Sequence, residues 1–216
     1  MNRNKYFFQY GDRIYFIWLS LEEFKKLNIP TYPEFISSKE FKQIEKYMNN
    51  ESFRDSIIAL AEQELGTLET PKGSNQVKYN DWFYPEGHPY FKNPSPYAWC
   101  GTFCSYVYFF AGRCMPPIDT DLGVCYIPTL YTIGKAKGWN TIEPKKGDLV
   151  LFDWEKDGKA NHIGIFVEWL EKGVSFTCIE GNTASSEKGN QSNGDGVYKK
   201  KRYVSNVLSF TNVIDI

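Results

Sequence analysis

Histidine is scarce in this chain, and several other features are missing. His88 and His162 are the two histidines among 216 residues, so any imidazole chemistry must use one of them. No run approaches the ~20 apolar residues of a membrane-spanning helix, so no membrane partner is expected. An excess of charge of one sign is also missing. There are 25 Lys and Arg against 26 Asp and Glu, a formal net charge of −1. Without a global basic field, nucleic acid is not an expected partner. The five cysteines, Cys100, Cys104, Cys114, Cys125 and Cys178, are odd in number and form no CxxC element. Free thiols are the default, and a zinc site is not expected. An export signal is not expected either. Arg3 and Lys5 precede Tyr6, Phe7 and Phe8, but Gly11, Asp12 and Arg13 end the apolar run early, and no small-residue cleavage site follows. The expectation is a protein made and kept in a cytoplasm unless something else releases it.

What is present belongs to a globular protein. Hydrophobic residues make up 42% and charged residues 24%, which excludes disorder as the main state. Aromatics reach 17%, enough for an aromatic-lined groove or a core rich in Phe and Tyr. Division by about 150 residues per domain predicts one domain plus an extension, or two small ones. The densest basic run, Lys199, Lys200, Lys201 and Arg202, lies between Val197, Tyr198, Tyr203 and Val204. It reads as the solvated part of a strand.

Residues 1–50 read as an extension separate from residues 51–216. Lys5 to Leu19, broken by Gly11 and Asp12, predicts two short strands joined by a turn. Helical spacing follows over Leu21–Leu27 and Ser38–Tyr47, with Pro30 and Pro33 between them. No chemistry is visible there. In the main part, Phe53, Ile57, Leu60, Ala61 and Leu65 predict a helix with Ser52 as its cap and Gly66 as its stop. A polar loop over Glu69–Asn75 leads to a short aromatic helix at Val77–Phe83. Pro85, Gly87, Pro89, Pro94 and Pro96 mark Tyr84–Pro96 as an irregular loop. Tyr97–Gly112 is an apolar run of helix length, and Ile127–Lys137 is a further helix closed by Gly138. Period-two strands follow at Gly147–Phe152, His162–Glu168, Val174–Glu180 and Val197–Val204, with an edge strand predicted over Val207–Ile216. Helices first and hairpin-linked strands later predict an α+β domain with an antiparallel sheet.

A thiol in the first turn of a helix feels the positive end of the helix dipole and unpaired N–H groups, and both favour thiolate. Cys100 is the cysteine in that position. A thiolate hydrolase also needs a base that later protonates the leaving amine. His162, at the start of an apolar strand, fits better than His88 in its proline-flanked loop. The base needs a group to fix its tautomer. The next strand ends in Ile179-Glu-Gly-Asn-Thr183, and either Glu180 or Asn182 falls beside the imidazole if the two strands pair.

In this order the local strings resemble the CHAP family, the cysteine, histidine-dependent amidohydrolases/peptidases. The strings are Glu69-x-Pro-x-Gly-Ser-Asn75, Tyr79-Asn-x-Trp-Phe83, Ala98-Trp-Cys-Gly-Thr-Phe103, Ala111-Gly112, Gly147-Asp148, Asn161-His-Ile-Gly164 and Ile179-Glu-Gly-Asn-Thr183. The resemblance implies a papain-like fold, with helices packed on an antiparallel sheet. It implies hydrolysis of an amide bond in bacterial peptidoglycan, either the muramoyl–peptide amide or a bond in the stem or cross-bridge. By the same carry-over Cys100 is the nucleophile, His162 the general base and acid, Glu180 the orienting group, and Asn182 a support. Asn75, Trp82 and Trp99 are candidates to line the substrate cleft. No cofactor is implied. The loop before Cys100 offers Asp81, Glu86 and His88 but not the aspartate cluster of calcium-binding members, so no metal site is expected. No obligate protein partner is expected. A phage-type lysin fits, held in a host cytoplasm until lysis or carried on a particle. The rival readings are a wall-binding or particle-structural module that keeps the fold without turnover, and a cysteine hydrolase of a non-wall amide.

Overall fold

The computed structural model describes residues 3–10, 13–20, 50–84 and 97–216. The helices expected at Leu21–Leu27 and Ser38–Tyr47, His88, and nearly all of the Tyr84–Pro96 loop lie outside the described residues.

Near the N-terminus, β1 (Arg3–Tyr10) and β2 (Arg13–Ser20) pair antiparallel, as the break at Gly11-Asp12 predicted. The main body begins with α1 (Asn50–Gln63). Ser52, expected to cap this helix, lies inside it. Phe53, Ile57 and Ala61 form its buried stripe, and Gly66 follows at a positive φ of 83°. Then come α2 (Lys78–Phe83), α3 (Cys100–Ala111) and α4 (Ile127–Lys137). Gly112 closes α3 and the left-handed Gly138 closes α4.

The sheet contains β3 (Asn140–Thr141), β4 (Leu149–Phe152), β5 (His162–Glu171), β6 (Ser175–Thr183), β7 (Gly196–Tyr203) and β8 (Val207–Thr211). Its order is β3-β8-β4-β5-β6-β7, and every pairing is antiparallel. This is the α+β architecture expected for a papain-like CHAP fold. One expectation fails. β8 is not an edge strand but lies between β3 and β4. The outer position is taken by Asn140 and Thr141, a pair too short to leave a period-two signal.

Alternation along β5 and β6 divides two cores. Ile163, Ile165 and Ile179 join the helices, with Trp99, Phe103, Val107 and Leu130. Phe166, Phe176 and Cys178 face the other way, with Val150, Phe152 and Phe210. α3 lies against β5 and β6, which brings its first turn to the end of the sheet where β5 starts.

A buried ion pair ties α1 to the entry of β4. Arg54, fully buried, donates to Asp148 Oδ1 at 2.7 Å and to Asp215 at 2.9 Å. Removing one partner of such a pair strands the other charge away from water. Arg54→Met is therefore expected to cost about 3–5 kcal/mol, read as a lower denaturant midpoint at unchanged slope.

Candidate active site

Cys100 is the first residue of α3 and is 4% exposed. The first backbone bond of the helix runs from Phe103 N–H to Trp99 O, at 2.9 Å. The N–H groups of Cys100, Gly101 and Thr102 therefore have no carbonyl partner within the helix, and they point with the positive end of its dipole. Such groups suit a developing oxyanion.

Four residues hold this helix start. Asn182 Oδ1 accepts the Trp99 N–H at 3.2 Å. Glu69 accepts Trp99 Nε1–H at 3.4 Å and the Asn75 N–H at 2.8 Å. Asn80 donates to the carbonyls of Asn75 and Tyr97 and accepts the Thr102 hydroxyl. Tyr79 stacks on Trp99 at 5.5 Å. The polar residues of the Glu69–Asn75 and Tyr79–Phe83 strings thus position the nucleophile turn.

His162 opens β5, fully buried, and its Nε2 lies 3.0 Å from Glu180 Oε2. With Nε2 committed there, Nδ1 is the nitrogen left to face the Cys100 thiol. Burial works against imidazolium. The hydrogen bonds and charges of Cys100 and Glu180 outweigh it and lift His162 from the ordinary value to about 9. Burial alone would also push Glu180 up, but Arg202 and His162 bring it down to about 2.

Glu180 reaches His162 by lying across Gly164. A Cβ at Gly164 would come within 2.7 Å of Glu180 Cγ and 3.3 Å of Ile179 O. The glycine of the Asn161-His-Ile-Gly string is therefore a space requirement. Gly164→Ala is expected to lower kcat/KM by about 10- to 100-fold through displacement of Glu180, with KM little changed. Wild-type kcat/KM in that variant would contradict the arrangement. Gly181 plays a similar part against α3, since a Cβ there would meet Phe103 and Trp99 at 2.6–2.8 Å.

The alternatives at the end of β6 separate cleanly. Strict alternation would place Glu180 and Asn182 on one face. The ladder is irregular between Glu180 and Thr183, and Asn182 takes a positive φ of 56°. Glu180 therefore meets the imidazole, while Asn182 turns to Trp99 and Gly194, donating to the Gly194 carbonyl at 2.9 Å.

Cys100 lies at the floor of a cleft of about 410 Å³. One wall is Cys125, Tyr126, Ile127 and Pro128; the other is the β4–β5 loop with Glu155, Asp157, Lys159, Ala160 and Asn161. Asp119 fixes the first wall by accepting the N–H groups of Cys125 and Tyr126 at 2.7 and 2.8 Å. Gly101 lets it approach: a Cβ there would meet Val124 O and Cys125 Cα at 3.0 and 3.1 Å.

Asn75, Trp82 and Trp99, expected to line the substrate cleft, are not among the described residues that line this one. Trp99 is fully buried under Tyr79 and presents no face to a ligand. Trp82 packs against Tyr106, Phe109 and Phe110, beyond the first turns of α3. Asn75 contacts Asn182 and the Glu69 carboxylate, behind the nucleophile turn. The ring of Trp99 belongs to the core, and that of Trp82 is half-buried on the aromatic face of α3. The cleft walls come from loops whose sequence carries no signal of that role.

The basic run also departs from the solvated reading. Lys199 and Lys201 face out, but Lys200 and Arg202 are each 6% exposed. Arg202 grips Glu180 with two hydrogen bonds of 2.7 and 2.6 Å. Strand alternation within the run was the available signal. Among the described residues, no cluster of His, Cys, Asp and Glu is arranged to hold a metal ion, and no helix is long and apolar enough to cross a membrane.

Residues 92–182 match the family model of the CHAP domain. The matched stretch contains Cys100, His162, Glu180 and Asn182 and ends before Arg202. No curated protein and no solved structure matches the chain.

Proposed function

We propose that this chain, a CHAP-domain protein over residues 92–182, hydrolyses an amide bond of bacterial peptidoglycan through a Cys100 thiolate. The observation that carries the reading is the placement of Cys100: first residue of a helix, floor of a cleft, with the His162–Glu180 pair behind it.

The thiolate attacks the amide carbonyl, and the first-turn N–H groups of α3 stabilise the oxyanion. His162 delivers a proton from Nδ1 to the leaving amine, and the thioester forms. His162 then takes a proton from water, which attacks the thioester and releases the acid. Glu180 fixes the imidazole and offsets its charge. Asn182 holds the Trp99 N–H and with it the nucleophile turn. The cleft is partly open to solvent, as access of a polymeric substrate requires.

Purified sacculi offered beside a casein-type protein test the substrate class. Solubilised sacculi with intact casein is the expected result. Casein cleavage with intact sacculi would transfer the chemistry to a non-wall amide, and binding to sacculi without cleavage would favour a docking module. We extend the reading to a phage-type lysin, active on the wall once the membrane is opened. A susceptible host expressing the protein should then lyse when its membrane is permeabilised and not before.

A further inference from the structure

Glu180 is held by more than its own strand. We infer that Arg202 is a positioning residue for the hydrolytic reaction: its guanidinium keeps Glu180 ionised and aimed at His162 Nε2, and so sets the pH range in which His162 stands as an imidazolium beside Cys100. The inference rests on the Cys100–His162–Glu180 reading above, and it concerns a residue outside the stretch that the family model matches.

The geometry is a two-pronged clamp. Arg202 Nε donates to Glu180 Oε1 at 2.7 Å, and Nη2 donates to Oε2 at 2.6 Å. Oε2 is the same oxygen that meets His162 Nε2, at 3.0 Å. The carboxylate plane is thus fixed by Arg202, and the imidazole reads that plane. Arg202 is itself fixed on its other side. Its guanidinium lies 4.9 Å from the Trp154 ring and 5.8 Å from Phe152, which stack on each other, and Nη2 also reaches Thr183 Oγ1 at 3.3 Å. The same two rings flank His162, at 5.8 and 6.5 Å. One aromatic plate therefore backs both the cation and the imidazole. A planar fork suits this setting in a way that a lysine ammonium does not.

The charges around Glu180 single out Arg202. From β5 it faces His162; from its own strand, the Cys178 thiol, which donates to Oε1 at 2.7 Å. From β7 it faces Arg202 in contact and Lys200 through space, and Cys104 of α3 also acts through space. Arg202 is the permanent cation in contact with the carboxylate. Without it, a fully buried Glu180 would resist ionisation, since burial opposes the carboxylate. His162 would lose the counter-charge that supports its imidazolium, and Cys100 would lose its partner.

The test is the pH dependence of Cys100 alkylation by iodoacetamide on the full chain, with the labelled peptide identified by mass. It needs no wall substrate. In Arg202→Met the acid limb is expected to move up by about one pH unit or more, a roughly tenfold lower rate on that limb. Arg202→Lys should shift it less, because it keeps the charge and loses the fork. A folded Arg202→Met with an unmoved acid limb overturns the inference, even if alkylation is slower overall, because lost packing alone changes rate and not pH dependence. If Arg202→Met does not fold, Arg202→Lys decides: a wild-type limb overturns the inference and a shifted one supports it. A wild-type protein that alkylates as expected yet leaves sacculi uncut would sink the wall reading and leave this one standing.

Discussion

Replacing Cys100 with alanine is expected to reduce amide hydrolysis by about 10⁴-fold or more while leaving the fold intact. Neither the fully buried thiols nor the other thiol of the cleft can take over. Burial pushes Cys104 and Cys178 well above the ordinary thiol value. Cys125 does line the same cleft, but burial lifts it to about 12, so it remains a thiol at neutral pH. It also lacks a base, since His162 Nε2 is held by Glu180 and its other interaction is with Cys100. The substitution removes one sulfur from a site that is 4% exposed and breaks no backbone bond, so the thermal midpoint should move by only a few degrees. Initial rates of amino-group release, read with the melting curve, check both halves. Activity within tenfold of wild type would remove Cys100 from the mechanism.

The second large effect is expected at Glu180. Glu180→Gln keeps the shape and loses the charge. An amide in that place cannot accept all the donors the carboxylate accepts, which come from Arg202, His162 and Cys178. One NH₂ must face another donor, and the Arg202 guanidinium is left buried without its counter-ion. The stability loss should be about 3–5 kcal/mol. The catalytic loss should be on the order of 10³, because an imidazole without its orienting carboxylate takes the wrong tautomer.

The pH dependence distinguishes this from simple damage. The folded-state value of His162, about 9, lies above its ordinary 6.5. Its contribution to stability is complete below about 6.5 and is lost as pH rises through about 9. Glu180 is depressed from 4.5 to about 2, so its contribution is present above about 4.5 and is lost as pH falls toward 2. The pair therefore contributes fully between those two ordinary values. In wild type the alkaline limb of kcat/KM should fall near pH 9, as the imidazolium deprotonates. In Glu180→Gln that limb should move toward neutral pH. An alkaline limb that stays in place would show that Glu180 does not support the imidazolium.

Much of this was legible in the sequence, for identifiable reasons. The α1 stripe, the Gly66 and Gly138 stops and the alternation of β4 to β7 are local signals, and the structure follows them. Cys100 could be singled out because a helix start is marked by local composition. What failed depended on contacts distant in sequence. Asn140 and Thr141 become a strand only because β8 returns beside them. Trp99 stands in a string that suggests a cleft wall, and only the packing of α2 against α3 shows that its ring is buried under Tyr79. Arg202 looks like one more cation in a run of four. Its role exists because β7 pairs with β6 in a register that sets it beside Glu180. The glycines at 101, 164 and 181 stand in recognisable strings, but the reason for each is a close approach made by another element.

The most direct measurement counts the new chemical groups that appear when purified peptidoglycan is incubated with wild type and with Cys100→Ser, followed by fragment masses. Amino groups released by wild type, no new reducing ends, and neither with Cys100→Ser is the predicted result, and the masses would name the bond. Absence of amino-group release by folded wild type across several wall chemotypes, or release that survives Cys100→Ser, would contradict the account.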